Sequence, residues 1–285
     1  MIPEGFTLGP MRADEVPILD GWAAAEGWNP GLADLGIAWA TDPEAFVALR
    51  QGDLLAGGGT ILSYDGRFGF MGLFIVRSDF RGLGLGAMLW EYRLNRLRQR
   101  LQPDASIGMD GVFDLVPFYE RGGFVLAYRD LRFDGIASGE PDGSVVPVDV
   151  VGFEAIERYD RLHVAAPRPA LLRRWLAQPG AHGVALCTGG LVTGYGVVRA
   201  CQRGYRLAPV FADTPDLAER IVAHLMSTVD GQPVQIDVPE PNAPGLELAA
   251  RFSLAESFGC ARMYYGPDPR LPVERIFGVT SFELG

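Results

Sequence analysis

Residues 81–90, RGLGLGAMLW, place a glycine at every second position and then open a predicted helix that runs to about Leu101. Glycines at that spacing let backbone N–H groups approach an anion without interference from Cβ atoms. The start of the helix adds its own free N–H groups and the positive end of its dipole. The stretch therefore reads as a phosphate-binding turn, and what it leaves open is the identity of the phosphate. It satisfies G-x-G-x-x-A, the dinucleotide fingerprint, and R-x-x-G-x-G equally well.

Context separates the two. A dinucleotide turn is the first strand-to-helix connection of a parallel βαβ unit, with an acidic residue about 20 positions on. Here about five elements precede the turn, including a hairpin around Gln51-Gly52-Asp53, and Asp104 at roughly the expected distance sits in a Pro-Asp turn. A nucleoside-triphosphate loop needs G-K-[ST], and every one of the 25 basic residues is arginine. The remaining pattern, R-x-x-G-x-G after a strand, suggests the diphosphate of coenzyme A. A few charge-assisted bonds of about 1.5–3 kcal/mol each are enough to hold it.

The 285 residues suffice for two domains, and 48% of them are hydrophobic. A net charge of −10 argues against nucleic acid as a partner. No apolar run is long enough to span a membrane. The stretch MIPEGFTLGPMRADE has no basic segment leading into an apolar one, so no secretory leader is expected. Cys187, Cys201 and Cys260 are far apart and form no C-x-x-C, so neither a disulfide nor a metal is expected, and a cytoplasmic location fits.

Residues 1–135 read as a mixed α/β unit. FGFMGLFIV (68–76) is apolar on both faces, as a central strand is. Arg93, Arg96, Arg98 and Arg100 crowd the end of the helix after the glycine turn, where they complement its dipole. DGIASGEPDGSVVP, from Asp134, reads as a linker with little to bury, giving a boundary over 136–145. Residues 146–285 repeat nearly the same element order. The fold class is therefore α/β (α+β): two tandem units, each a mixed, mostly antiparallel sheet flanked by helices. The second copy has lost the arginine and glycines of the turn and carries Asp213 there, so one coenzyme per chain is expected, on the first half.

VRSDFRGLGLG (76–86) resembles the acyl-CoA-binding signature of the GNAT superfamily of N-acetyltransferases, and FYERGGF (118–124) resembles that superfamily's Tyr-turn-Gly-Phe hallmark. EGWNPG, GMDG and the final RMYYGP…ERIFGV…ELG look like a bacterial tandem subgroup. The resemblance implies acetyl-CoA as co-substrate. Arg81, Gly82, Leu83, Gly84, Leu85, Gly86 and Ala87 would form the pyrophosphate turn, and Phe74, Ile75 and Val76 would pair with the pantetheine arm. Tyr119 would be the acid that protonates the departing thiolate, a role that suits a phenol, still protonated at neutral pH. The acceptor would be a small-molecule primary amine.

The pattern breaks at the base. A Glu that some members place twelve residues before the Tyr is Ile107 here, and an Asn seven before is Val112. Asp110 is the first candidate, with Glu26, Asp34 or a relayed water as alternatives; a turn-capping Asp110 is the bland reading. Trp28 and Asn29 either shape the acceptor pocket, together with Asp34, or form a structural turn. His163, His182 and His224 have no assigned role. The second half either walls the acceptor cleft or mediates a homodimer. A coenzyme-binding sensor without catalysis is the alternative function.

Overall fold

β4 (Phe68–Val76) is buried on both faces, as its doubly apolar sequence requires, and the first half is built around it. A computed structural model describes residues 3–285. The first half runs β1 (Phe6–Pro10), α1 (Val16–Ala25), α2 (Asp34–Thr41), β2 (Phe46–Gln51), β3 (Leu54–Tyr64), β4, α3 (Leu85–Gln99), β5 (Ser106–Gly111), α4 (Val116–Arg121) and β6 (Val125–Ile136). The second half repeats that order with one extra short helix, α5: β7 (Val146–Pro147), α5 (Val148–Val151), α6 (Phe153–Asp160), α7 (Pro169–Leu176), β8 (His182–Thr188), β9 (Leu191–Ala200), β10 (Tyr205–Ala212), α8 (Pro215–Ser227), β11 (Pro233–Pro239), α9 (Ala243–Arg251) and β12 (Ala255–Tyr265). A short strand, β13 (Ile276–Gly278), is added at the end.

All strands join one mixed, mostly antiparallel sheet in the order β1-β2-β3-β4-β5-β12-β6-β11-β10-β9-β8-β7, with β13 on β10. The order is symmetric about the β12–β6 pair, and among the described residues the only parallel neighbours are the equivalent pairs β4–β5 and β10–β11. Each half gives its last strand to the other. β12 lies between β5 and β6, and β6 lies between β12 and β11. A cut in the 136–145 segment would therefore not free two separate sheets. That segment is also more than a spacer. Ala137 and Val145 are buried, and Asp142 pairs with Arg220 while its backbone N–H donates to His224 Nδ1 at 3.1 Å.

Helices α1, α2, α6 and α7 share one face of the sheet. Leu19, Leu35, Ile156 and Trp175 pack there in one cluster that spans both halves. On the other face α3 covers the first half through Leu89, Trp90 and Leu97, and α8 covers the second through Ile221, Val222 and Leu225. No helix among the described residues is long and apolar enough to cross a membrane.

Three two-pronged arginine–aspartate pairs cross between the halves inside this core. Arg262 on β12 binds Asp110 on β5, both contacts at 2.6 Å. Arg132 on β6 binds Asp237 on β11 at 2.6 and 2.9 Å, and Arg199 on β9 binds Asp34 on α2 at 2.8 and 2.7 Å. A planar guanidinium matches a carboxylate this way, which fixes register as well as charge. Asp130 on β6 lies 3.5 Å from Arg262 as well. Burial pushes Asp130 well above the usual carboxylate range; Arg262 opposes this and the Asp110 charge adds to it, so one cation serves two carboxyls. Replacing Arg262 with Met strands those carboxyls in the core. The expected cost is about 3–5 kcal/mol of unfolding free energy, read from the shift of a urea transition, with part of it recovered when Asp110 is changed to Asn in the same chain.

Candidate active site

The parallel pairing of β4 with β5 stops at Met71 opposite Met109. Beyond it β5 continues against β12, while β4 carries on to Val76 with that edge unpaired. The divergence starts at a bulge. Between the pairs Thr60–Gly72 and Gly58–Ile75, β4 has one residue more than β3, and Leu73 there has φ +52°. A β-branched or leucyl residue at positive φ is a strained conformation that packing must enforce. The wedge between the two strands holds a cavity of about 390 Å³.

The glycine turn stands at its mouth. Gly82 and Gly84 have φ +81° and +74°, and a Cβ added at either would meet nothing within 4 Å, so their backbone faces open space. Gly84 caps α3, whose first-turn N–H groups have no intrahelical acceptor. Arg81 donates to the Val76 carbonyl at 2.8 Å and pairs with Glu26; Arg81 and Gly86 line the cavity. Leu83 and Ala87 are exposed on the turn, whereas Leu85 is buried beneath it.

Phe74, Ile75, Val76, Trp28, Asp110 and Tyr119 also line the cavity. Tyr119 is brought there by α4 and packed on Trp90 at 5.1 Å between ring centres. Its ring fills the space where any side chain at Gly111 would stand. Burial raises the phenol above its ordinary value, with the Arg93 charge partly opposing, so it holds its proton at neutral pH. Asp110 reaches the wall with both oxygens already taken by Arg262.

Two expected acceptor residues lie elsewhere. Asp34 opens α2 and is fully buried against Arg199. Asn29 is 2% exposed; its amide bonds the backbone of Arg203 and the Gln235 side chain, while Arg206 donates to its carbonyl. The EGWNPG loop thus docks the first half on the second and offers Glu26 and Trp28 to the cavity. Arg93 also departs from the sequence reading. It does not sit at a solvated helix end; it is fully buried, donating to the carbonyls of Thr60 and Gly72 in the room left by Gly59. Burial brings it down to about 9, still cationic at neutral pH.

The second half supplies Phe258, Cys260, Phe282 and Glu283 to the same wall. Glu283 opens the closing ELG, which the sequence reading left without a role; Phe258, Cys260 and Phe282 lie outside the quoted motifs, and the strand exchange that brings them in leaves no local signal. The equivalent wedge of the second half is filled by its own chain. β10 and β11 part after Leu207 opposite Ile236, and β13 enters there, pairing Gly278 with Val210 and Ile276 with Phe211. Asp213, at the position of the turn, is closed by Arg275 and by the Tyr159 hydroxyl at 2.7 Å.

The sequence model described as "Acetyltransferase (GNAT) family" matches residues 14–124, and the one described as "Acetyltransferase (GNAT) domain" matches residues 156–278. Holothin acyltransferase of Pseudoalteromonas sp. (strain SANK 73390) is 28% identical over 98% of this chain and 95% of its own. A Pyrococcus horikoshii crystal structure assigned as an acetyltransferase superposes with a TM-score of 0.84 at 21% identity, covering 100% of this chain and 98% of that one. A tandem GNAT protein from the clavulanic acid biosynthesis pathway gives 0.63 at 14% identity, over 92% and 99%. Both likenesses show the fold.

His163 is outside the wedge. It is stacked on Phe211 at 4.8 Å, its Nδ1 sits 2.9 Å from the Tyr159 carbonyl, and its Nε2 has no partner among the described residues. Burial pushes it from 6.5 down to about 4, so it is neutral in the folded chain. Between those values only the unfolded chain takes the proton, and stability must fall as pH drops through that window. The difference corresponds to about 3 kcal/mol. Urea transitions recorded from pH 7 to pH 4 should show that loss relative to a His163→Phe chain, which lacks the titrating group.

Proposed function

We propose that this chain, which belongs to the GNAT superfamily and carries two copies of its fold in tandem, transfers an acyl group from coenzyme A, with acetyl as the simplest case, to the primary amine of a small molecule. The observation that carries this reading is the continuity of three features around one wedge: the open N–H turn at Gly82–Gly84, the unpaired edge of β4, and the Tyr119 hydroxyl. The residues present fit acyl-CoA. The turn offers main-chain donors to a diphosphate without a metal, and the free β4 edge offers donors and acceptors to an amide-bearing arm. The kinship to a chain named as an acyltransferase supports acyl transfer in general.

In this reading the backbone N–H groups after the Leu73 bulge polarise the thioester carbonyl. Tyr119, kept protonated by its burial, gives its proton to the departing sulfur. Trp28, Phe258 and Phe282 form an aromatic wall, which suits an amine carried on an apolar body better than a sugar or a polyamine. The second half lends wall residues and binds no coenzyme, because β13 occupies its wedge.

Tyr119→Phe should lower kcat about 100-fold or more while leaving the acetyl-CoA dissociation constant unchanged, measured by steady-state kinetics and titration calorimetry. An unchanged kcat removes Tyr119 from the reaction. The same calorimetry on the native chain should give one acetyl-CoA per chain. Saturating acetyl-CoA at about 100 times its Kd should add about 2.7 kcal/mol of stability, where NAD adds none.

A further inference from the structure

An amine that arrives as an ammonium must lose a proton before it attacks a thioester. The positions where the resembled pattern has its Glu and Asn carry Ile107 and Val112. Three carboxylates line the cavity. Glu26 is exposed at the mouth and paired with Arg81. Asp110 has both oxygens held by Arg262. Glu283 differs from both. It is 3% exposed, and the side-chain contact it makes is to the Ser281 hydroxyl, which donates to Oε2. Among the described residues no arginine forms an ion pair with it.

Its placement is fixed from two sides. β13 pins the start of the last segment in the second half's wedge. Past it, Tyr64 donates to the Leu284 carbonyl, and Arg168 donates to the Gly285 carbonyl at 3.0 Å and to Thr280 Oγ1 at 2.8 Å. Between these holds, the Glu283 backbone runs over Gly72, where a Cβ would come within 2.1 Å of its carbonyl oxygen. Gly72 is the residue at which β4 leaves β5, one before the bulge. The segment that plugs one wedge thus delivers a carboxylate to the open one.

We infer that Glu283 is the general base that deprotonates the acceptor amine, an inference that rests on the acyltransferase reading of this cavity. Glu283 takes one proton from the ammonium, and the freed nitrogen pair forms the C–N bond to the thioester carbonyl carbon. As the C–S bond breaks, its electron pair leaves on sulfur, which receives the Tyr119 proton. The second proton shed by the nitrogen restores Tyr119, and Glu283 returns its own to solvent. The balance is amide, free thiol and one proton. The other charged or titratable groups around the carboxylate are Asp20 on α1, Arg93 on α3, Asp110 on β5, Arg132 on β6, Arg199 on β9 and Cys260 on β12. Arg132 and Arg199 are closed on Asp237 and Asp34.

The test uses the full chain, acetyl-CoA and a panel of aryl-alkyl primary amines such as 2-phenylethylamine, with hydroxylamine as an acceptor that is unprotonated at neutral pH. With the panel amines, Glu283→Gln should lose about 100-fold or more in kcat. It should also lose the acidic limb of its kcat/KM profile, keep its acetyl-CoA melting shift, and retain near-native turnover of hydroxylamine. A native kcat with the panel amines, or an equal loss with both kinds of acceptor, overturns the role of Glu283. No turnover of any amine by the native chain overturns the acyltransferase reading, and this inference with it. If the Gln chain shows no melting shift, Glu283→Asp carries the test: a lowered kcat with the acidic limb retained supports the base, and a native rate at every pH overturns it.

Discussion

Three buried guanidinium–carboxylate forks hold strands of one half against elements of the other, and the rest of the architecture follows from them. Arg262–Asp110 and Arg132–Asp237 sit on the exchanged strands themselves, and Arg199–Asp34 ties the helical layer beneath. Their Coulomb attraction is largely offset by the cost of removing both charges from water. What they supply is discrimination. A strand shifted by one residue would turn its charged side chain to the opposite face and leave the partner alone in the core. The sheet therefore has one permitted register across its centre, and that register decides which second-half residues face the first-half wedge.

The two wedges show how one topology serves two ends. Both arise where a parallel pair diverges, at Met71/Met109 and at Leu207/Ile236. In the first, nothing among the described residues pairs with β4 beyond the divergence on that side, and a glycine turn with exposed donors stands outside it. In the second, β13 supplies the missing strand, and Arg275 neutralises the aspartate where the turn would be. The backbone donors that would serve a ligand's amide arm are spent there on the protein's own peptide groups.

What could be read from the chain was local. The glycine turn, the doubly apolar β4 and the Tyr119 helix each declare themselves within about ten residues, through backbone freedom, periodicity and side-chain chemistry. The repeated element order was visible for the same reason. What escaped depends on distant partners. Asn29 and Asp34 looked like pocket residues because polar groups near an aromatic loop often are; their partners lie some 165 to 206 positions away, on strands of the second half. Arg93 reads as a surface arginine until Gly59 is seen to leave space for it. Glu283 sits in the closing ELG, which carries no chemical signal of its own, and gains a place only through a segment crossing from one wedge to the other.

The exchange of β6 and β12 also sets the order in which the molecule can be completed as it leaves the ribosome. When β5 and β6 have emerged, the edge of β5 has no neighbour, since the strand that belongs beside it is encoded some 150 residues later. The nascent first half must keep that edge and its buried-to-be aspartate in water until residue 265 has been made. Contacts of such long sequence separation form slowly. The cavity, walled by β12 and the segment after it, therefore takes shape only once residues 255–283 have been made, so a chain that stops short of them has no finished wall there.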